Sequence, residues 1–154
     1  MKLTGGQIVA KALKEYGVEY VAGVPGHGIW SLFDAFLQEG SEIPFVQVMH
    51  EQSAVHMADG YYRACGKPMA CSTSIGPGAT NTIIGLATCY ADSTAAFYVS
   101  GGPATHMKGH GVLQEGAIDH IFASGAIDHA VSGLDFLGIG GIGLGIRRGD
   151  VGYF

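Results

Sequence analysis

The sequence predicts an α/β fold of three layers: a parallel sheet with helices on both faces, incomplete at its C-terminal end. Three observations carry this. Helical and strand-like patterns alternate, with short apolar runs starting near residues 18, 44, 69 and 95. Strands separated by helical stretches at that spacing are βαβ units, which build parallel sheets covered on both sides. Composition agrees: 47% of residues are hydrophobic and 14% charged, against a usual charged fraction of roughly 25%. So little charge implies a large buried fraction, or faces covered by a partner. Finally, the second to fourth apolar runs open into turns rich in Gly, Pro, His or Thr, which right-handed crossovers gather at one edge of the sheet.

The elements follow in order. Thr4 and Gln7 form a capping box that starts a helix, with Ile8, Val9, Ala12, Leu13 and Tyr16 at helical spacing and Gly17 as its stop. Val18 to Val24 reads as a strand ended by Pro25-Gly26. Ile29, Trp30, Leu32, Phe33, Phe36 and Leu37 make a second helical face, closing near Gly40. Pro44 to Val48 is a second strand. A helix from Gln52 to Ala64 follows and stops at Gly66-Lys67-Pro68. Met69 to Thr73 is the third strand, and Gly76-Pro77-Gly78 starts a fourth helix carrying Ile83, Ile84, Ala87 and Tyr90. Ala95 to Ser100 is the fourth strand.

From residue 116 the character changes. Gly116-Ala117-Ile118-Asp119-His120 recurs at Gly125-Ala126-Ile127-Asp128-His129, and a run dense in glycine follows. Such glycine density weakens helix and strand alike, and two copies of a short unit are too few for a solenoid. Residues 1–115 are therefore read as one domain. Residues 116–154 are a Gly-rich tail without assignment, with one short helix expected near Ile118 to Ala123. Without further strands the sheet is expected to leave an exposed edge.

Several functions are excluded or disfavoured. A net charge of −5 gives no basic footprint for nucleic acid. No apolar stretch reaches the roughly 18 residues of a membrane span, and no apolar leader precedes the first helix. Cys65, Cys71 and Cys89 lack metal or redox spacing and are expected as reduced, buried thiols of a cytoplasmic protein. His106 and His110, or His50 and His56, lack a third ligand, so no metal site is expected from histidines. Gly138-Ile139-Gly140-Gly141-Ile142-Gly143 matches GxGxxG, but the helix and the later acidic residue that a dinucleotide site requires do not follow.

Two features remain. Glu51 stands at the carboxyl end of a strand and the start of a helix, where ligands bind in open α/β sheets. Alone, it reads as a helix-start charge worth about 0.3–1 kcal/mol. Gly76-Pro77-Gly78-Ala79-Thr80-Asn81 could cradle an anion at a helix start. Alone, it reads as a tight turn that lets another backbone or a ring approach closely.

Together, the ordered segments resemble the pyrimidine-binding domain of thiamine-diphosphate enzymes of the acetolactate synthase and 2-keto-acid decarboxylase type. Val21-Ala22-Gly23-Val24-Pro25-Gly26-His27 is similar to the family's first-strand Gly-x-Pro-Gly turn. His50-Glu51-Gln52-Ser53-Ala54-Val55-His56-Met57-Ala58-Asp59-Gly60-Tyr61 is similar to the segment bearing its glutamate. Cys71-Ser72-Thr73-Ser74-Ile75-Gly76-Pro77-Gly78-Ala79-Thr80-Asn81 is similar to its Thr-Ser-x-Gly-Pro-Gly-x-x-Asn turn, and Tyr90-Ala91-Asp92-Ser93-Thr94 precedes a strand as in the family. Lys108-Gly109-His110-Gly111-Val112-Leu113-Gln114-Glu115 is a looser match.

The resemblance implies a mechanism. Glu51 would meet N1′ of the cofactor's aminopyrimidine and share a proton with it, burial beside an apolar ring favouring the neutral carboxyl. His27 would act as a proton relay or substrate contact. Pro25, Gly26, Gly76, Pro77, Gly78 and Asn81 would shape or line the pyrimidine pocket, and Gln114 would reach toward the substrate, a 2-keto acid. Mg2+ and the diphosphate would be held only through a diphosphate-binding domain that this chain lacks, since no Gly-Asp-Gly occurs and the nearest approach is Gly149-Asp150-Val151. The family pairs these domains across subunits, so a homo-oligomer such as a dimer, or a separate partner subunit, is expected to complete the site, and the chain alone is not expected to be active. The leading expectation is an N-terminal fragment of a carboligase or decarboxylase. The alternatives are the small subunit of a split thiamine-diphosphate decarboxylase, and a non-catalytic flavodoxin-like binding module in which Glu51 is only a helix-start charge.

Overall fold

The structure is a computed structural model that describes residues 3–38, 43–112, 114–115, 137–139 and 142–145. Four parallel strands form its centre: β1 (Val21–Gly23), β2 (Phe45–Gln47), β3 (Met69–Thr73) and β4 (Ala96–Gly101). The helices between them are α1 (Gly5–Glu15), α2 (Trp30–Phe36), α3 (Glu51–Cys65), α4 (Pro77–Thr80) and α5 (Ile83–Ala91). Two further strands, β5 (Leu137–Ile139) and β6 (Ile142–Gly145), complete the order β2-β1-β3-β4-β6-β5.

Strand side chains alternate between faces, and this builds the three layers. Val21, Ala70, Phe97 and Val99 point to one side, where they pack with Val9, Ala10 and Leu13 of α1 and Leu32, Ala35 and Phe36 of α2. Ala22, Cys71 and Tyr98 point to the other, against Ala54, Val55 and Ala58 of α3 and Leu86 and Cys89 of α5. All five residues of β3 are buried, as expected of a strand covered on both faces.

The first helix starts as its sequence predicts, with Thr4 and Gln7 making both halves of the capping box. Its end shortens the strand that follows. Gly17 adopts φ +74°, and the Gly17 and Val18 N–H groups donate to the Lys14 and Leu13 carbonyls, each at 3.0 Å. This Schellman closure consumes Val18, so β1 begins at Val21 rather than at Val18.

The fourth helix is broken in two. The Thr82 hydroxyl donates to the Ala79 carbonyl at 2.6 Å and the Thr80 hydroxyl to the Pro77 carbonyl at 3.0 Å. Such side-chain bonds compete with helix continuation. The interruption leaves Asn81 exposed between α4 and α5.

Two expectations change at the periphery. The edge of β4 is not open: it pairs antiparallel with β6, which supplies partners for backbone groups that would otherwise attract another chain. Cys71 and Cys89 are buried, but Cys65 is exposed; it lies at the solvent side of the last turn of α3, its thiol donating to the Tyr61 carbonyl at 3.1 Å. Burial pushes the Cys71 and Cys89 thiols up, away from reactive thiolate. The expected helix near Ile118 lies outside the described residues, as does Gly149-Asp150-Val151.

A buried polar junction ties α3 to the segment entering β4. Asp59 accepts from the Thr94 hydroxyl at 2.6 Å and from Arg63 Nε at 3.0 Å, and Arg63 also pairs with Asp92. Burial raises the Asp59 pKa, but the Thr94 and Arg63 hydrogen bonds outweigh it and hold the carboxyl below the ordinary value. A carboxylate depressed on folding stabilises above its unfolded pKa of about 3.9, and that stability is lost as pH falls through the folded value. Asp59→Ala is expected to cost about 1–3 kcal/mol at neutral pH, because Thr94 and Arg63 lose a buried partner. Urea unfolding at pH 7 and at pH 3 checks this, and the gap between wild type and variant should narrow at the lower pH.

Candidate functional site

The order β2-β1-β3-β4 reverses direction at β1: the chain goes from β1 to one side and later returns to the other. Ligands bind at the carboxyl ends of strands around such a switch point. Pro25-Gly26-His27 follows β1, His50-Glu51 follows β2, and Ser74 to Asn81 follows β3. The topology thus brings three of the sequence-predicted segments to one sheet edge.

Glu51 is the first residue of α3. His50 is its N-cap, extended in backbone, with Nδ1 accepting from the Gln52 N–H at 3.2 Å. This cap fixes the entry of the chain and leaves the Glu51 carboxylate free to reach across the sheet edge. There Asn81 Nδ2 donates to Glu51 Oε2 at 2.9 Å. Asn81, between α4 and α5, thus links the glycine turn to the start of α3.

The other oxygen faces Gly78. A methyl group at Gly78 would lie 3.1 Å from Glu51 Oε1 and 3.8 Å from Ser74 Cβ. The carboxylate is therefore half-buried, with one oxygen held by an amide and the other above a backbone that carries no side chain. A larger residue at 78 would crowd this oxygen.

The remaining predicted residues form the surround. A Cβ at Gly26 would lie 2.4 Å from Ser74 Cβ, so the β1 turn is seated directly on the residue that leads from β3 into the glycine turn. Pro25 and His27 are exposed; His27 opens the 3-10 turn His27–Ile29. Gly76 has φ +62° and caps α4, with Pro77 at its first position. The distant Gln114 is brought to this same turn: its carbonyl oxygen would lie 2.3 Å from a Cβ on Gly76. Gln114 itself adopts φ +60°, a conformation that costs a residue with a side chain about 1–3 kcal/mol.

Sequence reasoning missed the residue that follows Gln114. The Glu115 carboxylate accepts from the N–H groups of Gly109, Gly111 and Val112 at 2.5, 2.7 and 3.1 Å. The Gly109 bond contributes most to holding this carboxyl below the ordinary value; desolvation opposes it, and the Val112 and Gly111 bonds add to it. The alternation of glycines at 109 and 111 was the available signal, since both have positive φ and together aim their N–H groups inward. A second feature is the buried hydroxyl of Tyr98 behind the turn, 3.4 Å from the Ala79 carbonyl and 3.2 Å from the Thr73 hydroxyl.

His50, at this edge, and His56, His106 and His110 are exposed. Gly138 and Gly143 pair with each other across antiparallel strands, not at the strand-to-helix turn of a dinucleotide site. Among the described residues no helix is long and apolar enough to cross a membrane.

A carboxylate, an amide and a glycine turn gathered at the switch point of an α/β domain stand where ligands bind in open sheets of this class. The particular family follows from comparison with known proteins. Residues 3–122 match the family described as "Thiamine pyrophosphate enzyme, N-terminal TPP binding domain", and the chain belongs to that family. It is 43% identical over 114 residues to an acetolactate synthase large subunit of Haemophilus influenzae, covering 74% of this chain and 20% of that relative. It is likewise 43% identical over 113 residues to the acetolactate synthase isozyme 3 large subunit of Escherichia coli, covering 73% of this chain and 20% of the relative. A probable acetolactate synthase large subunit of Methanocaldococcus jannaschii is 37% identical over 113 residues, covering 73% of this chain and 19% of the relative. The chain thus spans about a fifth of the length of these curated relatives.

Proposed function

We propose that this chain supplies the aminopyrimidine half of a thiamine diphosphate site in a 2-keto-acid carboligase or decarboxylase of the acetolactate synthase type. The observation that carries the reading is the Asn81 Nδ2–Glu51 Oε2 bond of 2.9 Å, with Glu51 Oε1 above Gly78. Bound thiamine diphosphate supplies the carbon nucleophile and electron sink for 2-keto-acid chemistry. The chain's own task is to hold and activate it. Glu51 would hold the proton at the ring's N1′, and Asn81 holds the carboxylate through Oε2. Gly78 leaves room for the ring, and Pro25, Gly26, Gly76 and Pro77 shape the walls around it. His27 supplies a polar group on the β1 side for proton relay or substrate contact, and Gln114 lies at the rim toward the substrate.

The diphosphate and Mg2+ require a second domain. In this reading it comes from another subunit, either a second copy in a homo-oligomer such as a dimer, carrying further sequence, or a separate partner chain. The chain by itself has no turnover. The three free cysteines favour a cytoplasmic setting.

The test mixes the full chain with a diphosphate-binding domain of an acetolactate synthase, thiamine diphosphate and Mg2+, and follows pyruvate consumption. Consumption that needs every component and disappears in Glu51→Gln supports the reading and the split-subunit form of it. Cofactor binding unaffected by Glu51→Gln sinks the role given to Glu51 and favours a non-catalytic module.

Gly78→Ala provides a milder check. The added methyl must push Oε1 aside and fill the space under the ring. The fold should persist and affinity for thiamine diphosphate should fall about tenfold, equivalent to ~1.4 kcal/mol, in a calorimetric titration of the completed site. Unchanged affinity would place the ring elsewhere.

A further inference from the structure

We infer that Glu115 is a positioning residue: by closing the loop from Gly109 to Glu115 it seats Gln114 on Gly76 at the rim of the cofactor site. The functional consequence rests on the half-site reading above, but the seating itself does not.

Three facts converge. First, one carboxylate takes three backbone donors, Oε1 from Gly109 and Oε2 from both Gly111 and Val112. Charge-assisted bonds of this kind are stronger than neutral ones, and the positive φ of Gly109 (+81°) and Gly111 (+65°) is what turns the donors toward it. The Glu115 N–H returns a bond to the Val112 carbonyl at 2.9 Å, so residue 115 is pinned at both its backbone and its side chain.

Second, Gln114 lies next to this pinned residue and holds a left-handed conformation, φ +60°. A glutamine in that region needs its surroundings to keep it there. Third, what keeps it on the other side is Gly76. The Gly76 backbone is so close that an added Cβ would meet the Gln114 carbonyl oxygen at 2.3 Å and its Cβ at 3.0 Å. Gly76 is the cap of α4, and its carbonyl accepts from Thr80 N at 3.1 Å. One helical turn therefore separates the seat of Gln114 from Asn81 and its bond to Glu51.

A carboxylate that only tidied an exposed loop would have no effect beyond that loop. One that positions Gln114 must be felt at Gly76. The distinguishing experiment follows backbone amides by nuclear magnetic resonance in the full chain, comparing wild type with Glu115→Ala and Glu115→Gln. Glu115→Ala should lower exchange protection at Gly109, Gly111 and Val112 by about tenfold or more, the factor that one such hydrogen bond sustains. The Gly76 and Asn81 resonances should shift with it, while Ala70 and Val99 in the sheet stay protected. Glu115→Gln, which keeps the length of the side chain and loses its charge, should fall between the two. Titration with thiamine as the probe should then show weaker binding to Glu115→Ala than to wild type. Protection unchanged at the three amides, or lost there with Gly76 and Asn81 unmoved, overturns the inference. Failure of thiamine to bind wild type would instead count against the half-site reading, and the amide shifts would still decide the role of Glu115.

Discussion

Glu51→Gln is expected to lower pyruvate consumption by the completed enzyme by about 10²- to 10⁴-fold, the range that a positioned proton donor or acceptor contributes. The variant keeps the shape of the side chain, and its amide oxygen can still accept from Asn81. It cannot hold or share a proton at a ring nitrogen as a carboxyl does. The magnitude decides between the two roles open to this residue. As the first residue of α3, a charge interacting with the helix end is worth about 0.3–1 kcal/mol. A loss of two to four decades corresponds to about 2.7–5.4 kcal/mol, several times larger. Thermal stability should therefore change by less than about 1 kcal/mol while turnover collapses. A fall in stability with turnover intact would return Glu51 to the role of a helix-start charge.

Gly23→Ala is expected to destabilise the domain by about 3 kcal/mol or more, at or above the top of the usual range for overpacking. Gly23 ends β1, pairs with Gln47 on one side and Ser72 on the other, and accepts from the Val48 N–H at 3.0 Å. A Cβ there would lie 1.9 Å from the Ser72 carbonyl oxygen and 2.9 Å from its carbon. The obstruction is backbone in a fully buried strand, not the end of a flexible side chain, so relief requires β1 and β3 to separate. That movement would also carry the Pro25-Gly26 turn away from Ser74. Chemical denaturation of wild type and variant measures the effect, and a loss below about 1 kcal/mol would show that the strands can shift at little cost.

Much of the layered fold was legible because its signals are local. Thr4 and Gln7 are three residues apart and cap the first helix as their types dictate. Met69 to Thr73 is a short apolar run bounded by Pro68 and Ser74, and the strand occupies just those residues. Glu51 could be placed at a strand end because the patterns on either side of it have different periods. What was not legible depends on partners distant in sequence, or on competition for one backbone group. Val18 fits a strand by composition but is taken by the closure of α1. Asn81 sits in a helical pattern, and nothing local announces that its side-chain amide donates to Glu51, 30 residues away. Cys65 resembles the buried cysteines until the solvent face of α3 is known. Gln114 and Gly76 are 38 positions apart in the sequence, and no periodicity announces that they touch. The family was legible as a set of ordered motifs; how the candidate residues are arranged needed the tertiary structure.

The central claim is that Glu51 and Asn81 together receive an aminopyrimidine ring. Thiamine, which carries that ring without the diphosphate, isolates the claim from everything a second domain contributes. The measurement is a titration of the isotope-labelled full chain with thiamine, reading the Asn81 side-chain amide and the Gly78 backbone amide in wild type and in Glu51→Gln. The expected result is a saturable shift of both signals in wild type that is abolished in the variant. Signals that do not move in wild type, or that move equally in Glu51→Gln, contradict the claim.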